Sequence, residues 1–418
     1  MMDYQVSEKV QQTFDKVTGM EQVQKALDFI HAEEDFCVNE QLELVLIEAP
    51  TFHEEERAKA FCEKFRQLGL EDVHIDPYGN ALGLWKGTGG GPRILVEAHL
   101  DTVFPFGSVK EVRREGNRLF APGICDDTRG LAAILSALRG LKASGLQTKG
   151  DILFAGTTRE EGKGSLGGMK DLLDSNPDID GSISVDGSGT EYIVYKATGY
   201  KTYEINFYGI GGHASSDFGK MANPVHAAAR FVAKVADFEV PSDPKTTFCV
   251  SNIHAGTDAA IHAIAPTATV KINYRSQDGA ILEELHQRVF KAVQEACDEE
   301  TARWGKDTVT WDCVNYCDVP AGGQDAHAPL VESAFLAAKT VSEDPSIVKL
   351  LNGGCVNGNM AIARGVPCVT LGEGPRENNV HNLNESFDPE GSWRLPQEIL
   401  LTLLMAVGID GESESVLK

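Results

Sequence analysis

Basic residues are in short supply: the 418-residue chain carries 38 Lys and Arg against 62 Asp and Glu, a formal charge of −24. A surface that neutralises phosphates or anionic lipid needs the opposite balance, so nucleic-acid and membrane partners are excluded. Long apolar runs are also missing. No stretch approaches the roughly 20 residues that cross a bilayer, and the opening MMDYQVSEKVQQ has neither the basic start nor the apolar core of a signal peptide. A cytosolic (cytoplasmic) protein is expected. Cysteine is scattered and odd in number, nine in all, with no C-x-x-C pair. Cys313 and Cys317 (CVNYC) flank a strand-like stretch, and reduced packing thiols are expected rather than a disulfide framework. Internal repeats and low-complexity stretches are absent too, and only the tail GESESVLK reads as frayed.

What is present is enough apolar sequence for two packed cores, 42% of the chain. Up to about residue 70 the apolar positions recur at three- and four-residue steps, as in EQVQKALDFIHAEE and EEERAKAFCEKFRQLGL, which predicts helices. Short β-rich runs then alternate with helical segments: RILVEAHLD, TRGLAAILSALRGLKASG, DILFAGTTR, GSLGGMKDLLDS, GSISVDGSG. That alternation predicts an α/β fold, a mainly parallel sheet flanked by helices. A second texture runs over 197–320, where KTYEINFYGIGG and ATVKINYRS alternate apolar and polar residues. Two amphipathic helices are expected there, along with a further strand at VTWDCVNYC. GVPCVTLGEG resumes the first texture. The expected organisation is therefore one domain from 1–196 and 321–418, interrupted by an inserted α+β block at 197–320.

In open α/β sheets, ligands gather at the carboxyl ends of the strands. Four expected strands deliver metal-type side chains there: His99 and Asp101 after RILVEA, Glu160 and Glu161 after DILFAGTTR, Asp186 after GSISV, and His381 in the loop after GVPCVTLGEG. Asp126 and Asp127 sit directly before a helix. Each piece has an ordinary alternative: a turn, a solvated loop, an N-cap. Their conjunction at one sheet edge points to a metal site. Mixed nitrogen and oxygen donors suit Zn²⁺, and also admit Mn²⁺ or Co²⁺, but do not match the all-oxygen shell of Ca²⁺. Two imidazoles and at least three carboxylates suffice for a pair of ions, with the Asp126/Asp127 corner as the place for a bridge. Neighbours on a strand exit point different ways, so one of Glu160 and Glu161 can hold metal while the other serves as general base.

The segments EAHLDTVFPFG, APGICDDTRGLAAILSAL, TTREEGKGSLGGMK, VDGSG, YGIGGHAS and VHNLNESFD together resemble the co-catalytic zinc exopeptidase and deacylase family that includes peptidase T, carboxypeptidase G and acetylornithine deacetylase. The likeness runs in order from about residue 40 to 400. It implies that two zinc ions bind per subunit: His99 and Asp186 on one, His381 and Glu161 on the other, with Asp126 bridging. It also implies that Asp101 orients the His99 imidazole, that Glu160 is the general base, and that the Asp126–Asp127 peptide is cis. The inserted block is similar to the family's lid and dimerisation domain, which implies a homodimer. His213 in GIGGHAS is then expected to help stabilise the tetrahedral intermediate in the partner subunit's site, and Arg275 in INYRS to bind a substrate carboxylate. As alternatives, His213 caps a turn and Arg275 is a surface strand residue.

Two positions depart from the family pattern. His262 in IHAIAP stands where relatives often carry Asn. Asn357 in GGCVNGNMAIARG stands near the usual acid, which should alter the substrate pocket rather than the metals. Asp186, in place of Glu, resembles the peptidase T and dipeptidase branches. The expected activity is hydrolysis of an amide bond in a short peptide, with an N-acyl amino acid or related small amide as the alternative substrate. A non-catalytic metal-binding scaffold is disfavoured because Glu160 stands beside every expected ligand.

Overall fold

The computed structural model describes residues 4–187, 189–304, 309–374 and 376–417. The chain divides into two compact units, Met1–Ala197 with Gly323–Lys418, and Thr198–Gly322. No helix among the described residues is long and apolar enough to cross a membrane.

The first unit is built on an eight-stranded sheet. In chain order its strands are β1 (Glu71–Ile75), β2 (Ala81–Trp85), β3 (Ile94–His99), β4 (Ile152–Thr157), β5 (Gly181–Val185), β6 (Tyr192–Val194), β7 (Lys349–Leu351) and β8 (Cys368–Leu371). The spatial order is β1-β2-β4-β3-β5-β8-β6-β7. The central strands β4, β3, β5 and β8 run parallel, with antiparallel pairings at β1/β2, β2/β4 and β8/β6. Central parallel strands are covered on both faces, which is why ILVEAH, ILFAGT, GSISV and CVTL are buried throughout.

Nine α-helices accompany this sheet among the described residues: α1 (Glu8–Thr18), α2 (Glu21–Ala32), α3 (Glu34–Val45), α4 (Glu55–Leu68), α5 (Thr128–Ser144), α6 (Gly167–Ser175), α7 (Pro329–Val341), α8 (Gly358–Ala363) and α9 (Arg394–Val407). α5 lies against the sheet, so Leu131, Ile134, Leu135 and Leu138 share a core with Ile94, Val96 and Ala98 of β3. Those three are alternate residues on one face of the strand. Leu95, Glu97 and His99 therefore point to the other face.

In the second unit four antiparallel strands lie in the order Thr246–Ala255, Thr267–Ser276, Gly199–Tyr208, Thr310–Val319. The helices Pro224–Ala236 and Gly279–Trp304 cover one face, with Phe207, Phe231, Val270, Ile272 and Val289 in a separate core. The edge strand Thr246–Ala255 was not legible from the sequence pattern. Its burial is shallow, and Ser251, Asn252 and His254 break the apolar alternation that marks the other three.

Candidate metal centre

The site grows from the ends of the parallel strands. β3 closes on His99, whose Nδ1 lies 2.9 Å from the Asp101 carbonyl oxygen. That contact turns the other ring nitrogen outward, and Nε2 stands 2.9 Å from Asp126 Oδ1. The His99 N–H donates to Asp127 Oδ2 at 2.7 Å, while Asp127 Oδ1 accepts the Gly130 N–H at 3.0 Å and caps α5. A Cβ at residue 130 would fall 2.0 Å from Asp127 Oδ1, so only glycine permits this cap. The Asp126–Asp127 peptide is cis.

Asp126 spans two imidazoles. Its Oδ2 lies 2.8 Å from His381 Nε2, and the same nitrogen is 2.8 Å from Glu161 Oε1. Oδ1 is buried and makes no hydrogen bond despite its closeness to His99. His381 is set by a turn between the short strands Glu377–Asn378 and Ser386–Phe387, with φ at +62°, a left-handed backbone rare outside glycine. Glu385, buried in the same loop, accepts the N–H groups of Gly123, Cys125 and Asp126 at 3.2, 2.7 and 3.2 Å. One carboxylate thereby ties the bridging loop to the loop that carries His381.

Asp101 was expected to orient the His99 imidazole through its carboxylate. Its carboxylate lies 3.6 Å from His99 Nδ1, so the closer acceptor of the ring is its carbonyl. The two carboxylate oxygens instead accept the backbone N–H groups of Glu160 at 2.9 Å and Glu161 at 3.0 Å. Glu54 Oε1 accepts the preceding N–H, from Arg159, at 3.0 Å.

Candidate ligand atoms of His99, Asp126 and Glu161 lie within 4.8 Å of one another. So do those of His99, Glu160 and Asp186, and those of Asp126, Asp186 and Glu373. Burial, then the neighbouring Asp186 charge, pushes the Glu160 carboxyl well above its ordinary range; burial also raises Asp186 and Glu161. His381 is raised to about 10 by its hydrogen bonds to Asp126 and Glu161. Two imidazoles, His99 buried and His381 half exposed, with five carboxylates close by and Asp126 Oδ1 making no hydrogen bond, fit a pair of divalent cations in donor chemistry and in charge.

Several residues of the site were not foreseen from the sequence. Glu97 is fully buried on the His99 face of β3 and accepts hydrogen bonds from Thr157 Oγ1 (3.0 Å), Asn357 Nδ2 (2.9 Å) and the Ser184 hydroxyl. It links β3, β4, β5 and the start of α8 one layer below the ligands. An acid in the otherwise apolar run ILVEA was the available signal. Asn357, expected at the substrate pocket, is buried, and its amide is committed to Glu97 and to Thr157 Oγ1 at 2.8 Å. Glu373 and Glu385 carried no signal beyond their charge, whereas Asp127, placed by the sequence in the acidic corner before a helix, is the N-cap of α5.

His213, His262 and Arg275 belong to the second unit. His213 is exposed, and its Nδ1 accepts the N–H groups of Ser215 and Ser216 at 3.2 Å each, which leaves the proton on Nε2. Its strand pairs with Ala263 beside the exposed His262. Arg275 is exposed, donates from Nε to Asn273 Oδ1 at 3.0 Å, and stacks over Tyr200 at 5.0 Å from the ring centroid.

A family model described as Peptidase family M20/M25/M40 matches residues 95–405. The uncharacterized protein YqjE of Bacillus subtilis is 27% identical over 391 residues, 90% of this chain and 98% of that protein. A succinyl-diaminopimelate desuccinylase of Alkalilimnicola ehrlichii is 28% identical over 367 residues, covering 82% of this chain and 92% of its own length. Among solved structures, aminopeptidase PepT from Bacillus cereus superposes with a TM-score of 0.73 at 22% identity, covering 88% of this chain and 97% of that one.

Proposed function

Because the chain belongs to peptidase family M20/M25/M40, and is thus an enzyme of the metallopeptidase and amidohydrolase type, we propose that it cleaves an amide bond in short peptides at a centre of two divalent cations, Zn²⁺ in the first instance. The observation that carries the reading is Asp126, whose two oxygens stand 2.9 and 2.8 Å from two different imidazoles. His99, Asp126 and Asp186 would hold one ion; Asp126, Glu161 and His381 would hold the other. Mn²⁺ and Co²⁺ are cations the same donors accept. When bound, the ions supply Lewis acidity that polarises the substrate carbonyl and makes water acidic enough to attack at neutral pH.

The protein's own part is proton handling and positioning. Glu160 takes the proton from the attacking water and passes it to the leaving amine as the C–N bond breaks. Its burial, which raises the carboxyl above the ordinary range, acts in the direction that suits proton exchange with water and amine. Asp101 holds the Glu160 and Glu161 backbone, and the Asp101 carbonyl fixes the His99 ring. On the same reading the working form is a homodimer in which His213 offers its Nε2–H to the developing oxyanion in the partner subunit's site, while Arg275 pairs with a substrate carboxylate and His262 contacts substrate. The exposure of all three side chains supports their availability.

The fold likeness to an aminopeptidase supports a peptide substrate. The similarity to a desuccinylase over 82% of this chain supports the second reading, an N-acylated amino acid. Hydrolysis of di- and tripeptides against N-succinyl and N-acetyl amino acids by the Zn²⁺-loaded protein separates them. Turnover of peptides alone is the expected result, and turnover of acyl amino acids alone reverses the assignment.

A further inference from the structure

Glu373 lies two residues past the end of β8, where parallel pairing with β5 continues beyond both strands. Asp186 N–H donates to the Leu371 carbonyl at 2.9 Å, and Glu373 N–H donates to the Gly187 carbonyl at 2.7 Å. The second bond ties the backbone of residue 373 to Gly187, the residue that follows Asp186. The Glu373 side chain is only 2% exposed and its Oε1 has no hydrogen-bond partner. One of its oxygens nevertheless lies within 4.8 Å of ligand atoms of Asp126 and Asp186. Three ionised carboxylates so close, Glu373 buried and Asp126 and Asp186 partly buried, repel one another, and a cation among them removes that repulsion.

We propose that Glu373 is a further oxygen donor to the cation shared by Asp126 and Asp186, and that it tilts this position towards harder divalent ions such as Mn²⁺. The inference rests on the two-metal reading above. Its chemical basis is donor type: the position already has two carboxylates and the single imidazole of His99, and a third carboxylate makes it oxygen-rich, whereas the ion at His381 lacks that addition. Carboxylate, carbonyl and water donors favour Mg²⁺ and Mn²⁺, and borderline nitrogen-rich sets favour Zn²⁺.

The test compares wild type with Glu373→Gln, which keeps the side chain's shape and removes its charge. Chelator-stripped protein is titrated with Mn²⁺ alone, following the free-ion electron paramagnetic resonance signal, and then with Zn²⁺ in competition, following bound metal by elemental analysis. Wild type should bind two ions per chain. Glu373→Gln should lose roughly tenfold or more in Mn²⁺ affinity at one position, with a Zn²⁺ loss of about threefold or less. Unchanged Mn²⁺ affinity, or equal losses for both metals, would overturn the proposal. If Glu373→Gln does not fold, Glu373→Asp, which withdraws the carboxylate by one methylene, should show the same selective loss; metal affinities equal to wild type would count against the proposal. A wild-type protein that binds neither metal would instead sink the two-metal reading and leave Glu373 without a cation to serve.

Discussion

Asp101 accepts the backbone N–H of Glu160 at 2.9 Å, so the residue two places beyond His99 holds in place the side chain assigned to proton transfer. Its second oxygen does the same for Glu161 at 3.0 Å. Asp101→Asn turns one of these acceptors into a donor facing a backbone N–H. Turnover should fall by roughly 10- to 100-fold, with a parallel loss of metal affinity, because base and ligand both shift. Steady-state kinetics with chelator competition would check this; a loss of turnover at unchanged affinity would confine Asp101 to the base.

Glu160→Gln isolates the base. Since His99, Asp126, Glu161, Asp186 and His381 are untouched, the variant should retain two metals per chain by elemental analysis. Turnover should drop by about 10² to 10⁴. Near-normal turnover would remove Glu160 from the role.

His381→Ala removes an imidazole that faces both Asp126 and Glu161 at 2.8 Å. The expected stoichiometry falls from two ions towards one, and the thermal stabilisation given by added Zn²⁺ shrinks accordingly. Calorimetry of the metal titration would show whether one binding step disappears.

Asn357→Ala deprives the buried Glu97 carboxylate of its amide donor while leaving every proposed ligand in place. Losing one of the three hydrogen bonds to this buried carboxylate costs about 1 to 3 kcal/mol, so the metal-free protein should unfold at lower denaturant concentration. A midpoint equal to wild type would show that the Glu97 network adds nothing to the stability of the first unit.

The second unit has its own pH dependence. Burial pulls Glu300 upward, but the Asn223 N–H, the Trp304 indole at 2.6 Å and the Arg230 guanidinium at 3.1 Å outweigh it and hold the folded carboxyl below its ordinary value. A depressed acid stabilises fully above its unfolded pKa, roughly 4.3. That contribution is lost as pH falls below this value through the folded pKa. Glu300→Gln should therefore be destabilised at pH 7 and flatten the acid limb of the stability curve below about pH 4. Unfolding followed by far-ultraviolet circular dichroism at stepped pH would check it, and an unchanged acid limb would exclude Glu300 as its source.

Sequence alone carried the residue types and their order: apolar strand runs alternating with helices, acids and imidazoles at the strand exits, and the Asp126-Asp127 corner before α5. These are legible because local periodicity and side-chain chemistry are properties of short segments. Which oxygen meets which partner depended on the register of β4, β3, β5 and β8, whose residues are far apart in the chain. Only the tertiary structure turned Asp101 towards the Glu160 and Glu161 amides, buried Asn357 against Glu97 and brought Glu373 close to Asp186. A one-residue slip of β3 would send Glu97 and His99 to the opposite face of the sheet, so the decision belongs to tertiary packing.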